Sequence, residues 1–173
     1  MNVLFLDHDG VICHGDEWGT RFTKQDNEFT LNHEDVNLRF DNFNKKSIDI
    51  LNEIINATDC EIVISSDWRQ FATLEEMGNY YINQGIIKKP IDFTPTRARK
   101  LTESLASVRV REISSWMSSN TNLVDVDCYV AVDDMNLYDL GDSHFVWCSP
   151  LNDFGINADG IFDKIIKRFN KNG

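Results

Sequence analysis

Long apolar runs are missing from this chain. Nothing in it approaches the ~20 consecutive residues that a membrane-spanning helix needs, and the first residues lack the basic start of a signal peptide. The opening MNVLFLD therefore reads as a strand and not as an address. Cysteine is sparse and never paired in CxxC spacing: Cys13, Cys60, Cys128 and Cys148 are scattered, and Cys128 and Cys148 lie in apolar stretches. They read as buried free thiols in a reducing, cytoplasmic compartment. Proline and glycine never gather into a linker, and there is no repeat or low-complexity segment, so one domain over residues 1–173 is expected. Positive charge is short as well. Seventeen Lys and Arg stand against 28 Asp and Glu, a formal net charge of −11, which argues against broad non-specific binding to the phosphate backbone of nucleic acids.

What is present is the composition of a globular protein, 42% hydrophobic and 11% aromatic. The little positive charge is concentrated: Lys88, Lys89, Arg97, Arg99, Lys100, Arg109 and Arg111 face only Asp92 and Glu103 in the same stretch. Two readings stay open, a solvated basic face or a patch turned toward an anionic substrate. Continuous apolar strands are expected at 2–7, 60–65, 128–134 and 144–149. Amphipathic helices are expected between them: 42–56 behind an Asp41 or Asn42 cap, about 69–83 with Phe71, Leu74, Met77, Tyr81 and Ile82 on one face, about 108–118, and a closing helix carrying Ile161, Ile165, Ile166 and Phe169. Residues 86–105 look irregular. Residues 14–40 read as a polar excursion holding Trp18, Phe22, Phe29 and Phe40, with room for a short hairpin. The alternation implies an α/β protein, a doubly wound, Rossmann-like parallel sheet with helices on both faces. Such sheets bind ligands at the carboxyl ends of their strands.

Three of those ends are polar breaks after apolar runs: Asp7-His8-Asp9-Gly10 after VLFL, Ser65-Ser66 after IVI, and Asp133-Asp134 after YVAV. The fold would gather them across one cleft. Two like charges about 4 Å apart repel by roughly 4 kcal/mol at an effective dielectric near 20, and a whole domain is stable by only ~5–15 kcal/mol. Helix caps or solvated turns would explain any one acidic pair. For the assembled set, a divalent cation would relieve the repulsion, and hard carboxylates without His or Cys point to Mg²⁺ rather than zinc.

An apolar strand ending D-x-D-G-V, a second ending in Ser, a basic residue before a helix and a third strand ending D-D together resemble the haloacid dehalogenase (HAD) superfamily of phosphohydrolases. The resemblance runs from Asp7 to Asp134, with a strand and helix behind it. It implies that Asp7 is a nucleophile forming an aspartyl-phosphate and that Asp9 is the general acid and later the base. Asp9 also points to phosphate esters, since dehalogenases lack an acid there and the ion pumps carry threonine. Gly10 would let the chain turn so that backbone N–H groups reach the phosphate. Ser65, with Ser66 beside it, matches the second motif, a hydroxyl that binds a phosphoryl oxygen. Asp134 would ligate Mg²⁺ with the Asp7 carboxylate and the Asp9 backbone carbonyl, and Asp133 would act through water or hold the site in place. The third motif needs a Lys or Arg. Arg109 is preferred to Arg111, because R-x-x-E-I-x-x-W is the spacing of related small phosphatases, although either arginine could pair with Glu112 or a helix neighbour.

Arg69 in ISSDWR stays open between phosphate contact and structure. His8 is expected to point away from the site, and Trp68 is read as packing. Asp139 stays open between supporting the metal shell and capping a helix. Neither window in which the superfamily inserts a cap domain, about 13–41 and 85–106, is long enough for one, so a short flap and an open site are expected. Resemblance links open sites to large substrates (nucleic-acid ends, phosphoproteins or bulky nucleotides), with small phosphometabolites as an alternative. SSDWR with R-x-x-E-I-x-x-W is similar to the small branch found in RNA-repair proteins and polynucleotide kinase-phosphatases. The expected partner is thus a phosphorylated substrate, a nucleotide or a nucleic-acid end, with no membrane. Trp18, Phe22 and Phe29 could stack on a base or form a satellite core. Two rivals remain: a non-catalytic phospho-acceptor or partner-binding module, and a phosphotransferase or mutase, which the missing cap disfavours.

Overall fold

In the computed structural model, which describes residues 1–14, 32–120, 125–149 and 154–172, β1 (Asn2–Leu6) forms the centre of a five-stranded sheet. The other strands are β2 (Glu61–Ile64), β3 (Asp92–Phe93), β4 (Cys128–Asp133) and β5 (Phe145–Trp147), in the order β3-β2-β1-β4-β5. Every pairing is parallel, so the connections must cross over the faces, and helices do this. The helices are α1 (Lys45–Thr58), α2 (Leu74–Gln84), α3 (Leu105–Asn120) and α4 (Ile161–Asn172). The expected α/β doubly wound sheet is the fold observed.

Alternation along β1 builds both faces. Leu4 and Leu6 join Leu51, Ile54, Ile62, Ile64, Val130, Val132 and Ile165 under α1 and α4. Val3 and Phe5 join Val63, Ile113, Trp116, Ala131 and Phe145 under α3, with Phe5 edge-on to Trp116 at 5.3 Å. All four β1 core residues are at most 1% exposed, and each such side chain contributes about 1.5–3 kcal/mol on burial. That places a fully buried strand core directly behind the first acidic motif.

Register then does the aligning. Leu6 lies opposite Ile64 on one side and Val132 on the other, and Ile64 lies opposite Phe93. The next residue of each strand is Asp7, Ser65, Asp133 and Thr94, so four polar residues leave the sheet in one row. Asp7 N–H donates to Val132 O (3.1 Å), Ser65 N–H to Leu6 O (2.9 Å) and Thr94 N–H to Ile64 O (2.9 Å), which carries the ladder one step beyond the strands.

The structure corrects several local expectations. The α1 cap is Asn44, whose side chain accepts from Lys46 and Ser47 N–H, in place of Asp41 or Asn42. Residues 67–70 form a 3-10 turn, and α2 starts only at Leu74 behind a Thr73–Glu76 capping box. The later start changes the buried face: Phe71 and Ile82 are 37% and 45% exposed, and Tyr80 is buried beside Met77 and Tyr81. The stretch 86–105 is not wholly irregular, because β3 sits in it as an edge strand. All four cysteines are free and buried. Most of the excursion, including Trp18, Phe22 and Phe29, lies outside the described residues. None of the described helices is long and apolar enough to cross a membrane.

Candidate active site

After Asp7 the chain turns on itself. His8 O accepts from the N–H groups of Val11, Ile12 and Cys13 (3.1, 3.0 and 2.8 Å), and Gly10 N–H donates to Cys13 O (2.8 Å). Gly10 has φ +71°, and a Cβ there would lie 2.6 Å from Asp134 Oδ2. Glycine is therefore required twice over, for the backbone angle and for the close approach of the second acidic motif. Gly155 braces the turn from outside the sheet. Its φ is +50°, a Cβ would fall on the Val11 carbonyl oxygen, and the next N–H, of Ile156, donates to that oxygen (2.9 Å). The sequence reading missed Gly155, because its reason is a contact with a residue far away in the chain.

The carboxylates of Asp7, Asp133 and Asp134 meet with one oxygen of each within 4.8 Å of the others. Asp7 is 5% exposed and Asp133 1%. Burial pushes the Asp7 carboxyl up to about 6, against the pull of Arg109 and with added repulsion from Asp134. Burial and the charge of Asp7 push Asp133 well above the ordinary carboxylate range. The two acids at the end of β4, Asp133 and Asp134, are not equivalent. Asp133 Oδ2 accepts from Arg109 Nη1 (3.1 Å) and its Oδ1 from Met135 N–H (2.8 Å), so both of its oxygens have protein partners. Asp134 is half-buried, and its main-chain carbonyl is held by the Trp147 indole N–H (2.8 Å).

Arg109 is the cation of this cluster. It stands on α3, 6% exposed, with Nη1 3.2 Å from Asp7 Oδ1 as well as at Asp133. Arg111 is two residues along the same helix and faces away, pairing with Glu103 at 2.8 Å. Behind Arg109 lies a second buried pair: Glu112 Oε2 is 2.7 Å from Arg69 Nη2 and 3.9 Å from Arg109 Nε. Arg69 also donates from Nη1 to Ser66 O (2.9 Å), and Glu112 Oε1 accepts from Arg97 N–H (2.9 Å). Arg69 is thus joined to the site through Glu112, an acid that sequence reasoning weighed only as a helix neighbour. A buried pair of this kind stabilises little by itself, but losing one partner costs about 3–5 kcal/mol.

The β2 end supplies hydroxyls. Ser66 hydrogen-bonds the Asp7 carboxylate through its side chain and accepts from Trp68 N–H (3.4 Å). Ser65 is 1% exposed, and its Oγ has no partner among the described residues. Asp9 is half-buried, and its Oδ1 accepts from the Trp68 indole (2.9 Å). His8 sits among the rings of Trp68, Phe43 and Tyr81, with Nε2 2.7 Å from the Tyr81 hydroxyl. Burial pushes its imidazole down to about 3, so it is neutral. Asp139 is exposed in a short turn.

The basic stretch divides. Lys88 pairs with Asp59 and Glu61, Lys89 with Asn79, Arg109 is in the site and Arg111 meets Glu103. The side chains of Arg97, Arg99 and Lys100 remain exposed. The Arg97 main chain is bonded to Glu112 beside the cluster, whereas Arg99 Nε and Lys100 N–H donate to Glu103 (2.7 and 3.0 Å).

A parallel doubly wound sheet with acidic strand ends converging on a buried arginine, and no large cap among the described residues, defines the haloacid dehalogenase class. Within it, the chain belongs to the family described as the HAD domain in Swiss Army Knife RNA repair proteins, whose model matches residues 3–157. No curated protein and no solved structure matches the chain.

Proposed function

We propose that this domain is a Mg²⁺-dependent phosphomonoesterase that works through an aspartyl-phosphate on Asp7. The observation that carries the reading is Arg109 Nη1, placed 3.2 Å from Asp7 and 3.1 Å from Asp133. One guanidinium holds the nucleophile oriented and offsets charge where a phosphoryl group would arrive. The donor set fits Mg²⁺, being three carboxylates without His or Cys. Asp7, Asp134 and the Asp9 carbonyl are the residues that would hold it, with Asp133 anchored by Arg109 and Met135. Bound there, the ion supplies charge neutralisation for the phosphate oxygens.

In the first step an Asp7 oxygen forms a bond to phosphorus while the ester P–O bond breaks, and Asp9 gives its proton to the departing oxygen. In the second, a water oxygen bonds phosphorus, the Asp7–phosphorus bond breaks and Asp9 recovers a proton from that water. The orphaned Ser65 hydroxyl suits a phosphoryl oxygen. Arg69, held by Glu112 and Ser66 O, keeps Arg109 in position and adds positive charge from behind.

The substrate we infer is a nucleotide or nucleic-acid phosphate end. The family's association with RNA repair supports it. So do three exposed cations, Arg97, Arg99 and Lys100, in the segment that Arg97 N–H ties to Glu112, in a chain of net charge −11. Purified protein with Mg²⁺ should hydrolyse p-nitrophenyl phosphate and a 3′-phosphorylated oligonucleotide, and Asp7→Asn should lose both activities while keeping its fold. Full turnover by Asp7→Asn would overturn the mechanism. Phosphate or beryllofluoride binding without turnover in the wild type would make the domain a phospho-acceptor module.

A further inference from the structure

Trp68 is 2% exposed and has almost no freedom to move. Its ring is stacked on Phe40 (4.4 Å between centroids, 6° between planes) and on Phe43 (5.6 Å, 18°), with the His8 ring at 4.6 Å. Its main chain lies in the 3-10 turn 67–70, capped by the Ser66 hydroxyl that also reaches Asp7. A buried indole N–H needs an acceptor, and a main-chain carbonyl would serve, as it does for Trp147. Here the acceptor is Asp9 Oδ1 at 2.9 Å.

We propose that Trp68 is the positioning residue for the acid–base Asp9. The inference rests on the phosphatase reading above and deepens it. An indole N–H is a donor only, so the oxygen it addresses must accept. The proton passed to the leaving oxygen is therefore carried on Asp9 Oδ2, and the aromatic stack sets the direction in which that oxygen faces. When the ester P–O bond breaks, the Oδ2 proton goes to the departing alkoxide and Oδ1 keeps its hydrogen bond throughout. When water attacks the phospho-Asp7, Oδ2 takes the proton back. Because Phe40 closes the stack, the carboxyl-terminal end of the excursion helps to fix the aim of Asp9.

A packing role and a positioning role make different demands on the leaving group. A nitrophenolate departs without a proton, whereas an alkoxide does not. Trp68→Phe keeps an aromatic ring and removes the N–H. With Mg²⁺ present, the pre-steady-state rate of alcohol release from a nucleoside monophosphate or β-glycerophosphate should fall on the order of 10²-fold, and that of p-nitrophenolate release should stay within about threefold. The later hydrolysis of phospho-Asp7, which uses Asp9 as base with either ester, should slow equally for both. In an Asp9→Asn background the same substitution should cost the alkyl substrate nothing further, which also separates the effect from any general loss of stability. Equal losses in the two release rates, no loss in either, or additive losses in the Asp9→Asn background would overturn the proposal while leaving the phosphatase reading intact. Inactivity of the wild type toward all these esters would instead sink both.

Discussion

Arg109 Nη1 stands 3.2 Å from Asp7 Oδ1, and both groups are almost wholly buried. The same nitrogen donates to Asp133 at 3.1 Å, so one guanidinium holds apart two carboxylates that repel each other. Arg109→Met should therefore do two things. It should lower kcat for p-nitrophenyl phosphate by about 10²–10³-fold, the usual cost of one transition-state donor. It should also lower stability by about 3–5 kcal/mol, because it leaves buried charge uncompensated. Arg111→Met removes an outer two-point pair with Glu103 and a hydrogen bond to the Ala98 carbonyl, worth about 1–2 kcal/mol together, and should leave kcat nearly unchanged at a smaller cost in stability. Urea denaturation and steady-state kinetics on the two variants check this, and the reverse order of effects would move the third motif to Arg111.

The raised affinity of Asp7 for its proton has a sign that can be measured. Its folded pKa is about 6 against an ordinary 3.8. The folded state thus binds the proton more tightly, and the associated stability is present below about 3.8 and lost as pH rises through about 6. At neutral pH the ionised group therefore destabilises the metal-free protein. In EDTA, Asp7→Asn should melt above the wild type at pH 7, and the gap should close toward pH 4. The buried neutral His8 titrates in the opposite sense, but both proteins contain it, so their difference reads Asp7 together with Asp133, whose proton affinity the Asp7 charge raises. Mg²⁺ should raise the wild-type Tm more at pH 7.5 than at pH 5, since proton and cation compete, and should raise Asp7→Asn less.

Gly10→Ala tests the cradle. It puts a methyl 2.6 Å from Asp134 Oδ2 at φ +71°, which costs at least ~1–2 kcal/mol in backbone strain alone. Asp134 must then move. The expected outcome is a lower Tm in EDTA and a Mg²⁺-induced Tm rise much smaller than the wild type's. A variant with an unchanged Mg²⁺ response would detach Asp134 from the metal.

How much of this was legible in the sequence depends on the range of the interaction. The strand ends were legible because an apolar run that stops at an acid is local, and a parallel sheet aligns such stops by register. The spacing that preferred Arg109 over Arg111 could say nothing about its surroundings. The α1 cap was ambiguous, since Asp41, Asn42 and Asn44 are all cap-forming residues within four positions. The two-residue β3 is too short to show a period, and the 3-10 turn at 67–70 displaced the face expected for α2. Glu112 and Gly155 were hidden for another reason. Their partners, Arg69 and the Val11 carbonyl, are 43 and 144 residues away, and no local pattern records such a pairing. Trp68 was read as packing, which the stack bears out, but its N–H partner could not be seen without the fold.

The exposed cations bear on substrate. Arg97, Arg99 and Lys100 are exposed on the segment that Arg97 N–H ties to Glu112 (2.9 Å). Truncating the three side chains to alanine leaves that main-chain bond in place. If a single strand runs over them beyond its terminal phosphate, each contact releases counterions, with a salt slope of about 0.7 per phosphate for single strands. The triple variant should therefore bind a 3′-phosphorylated oligonucleotide more weakly at low salt, and the slope of log K against log salt should shrink by about 2. Fluorescence anisotropy in the Asp7→Asn background reads this without turnover. Turnover of p-nitrophenyl phosphate, which has no chain to guide, should be unchanged in the otherwise wild-type protein. Equal oligonucleotide affinity and an unaltered salt slope would show that these cations are only a solvated face, and would direct the search for substrate toward small phosphate esters.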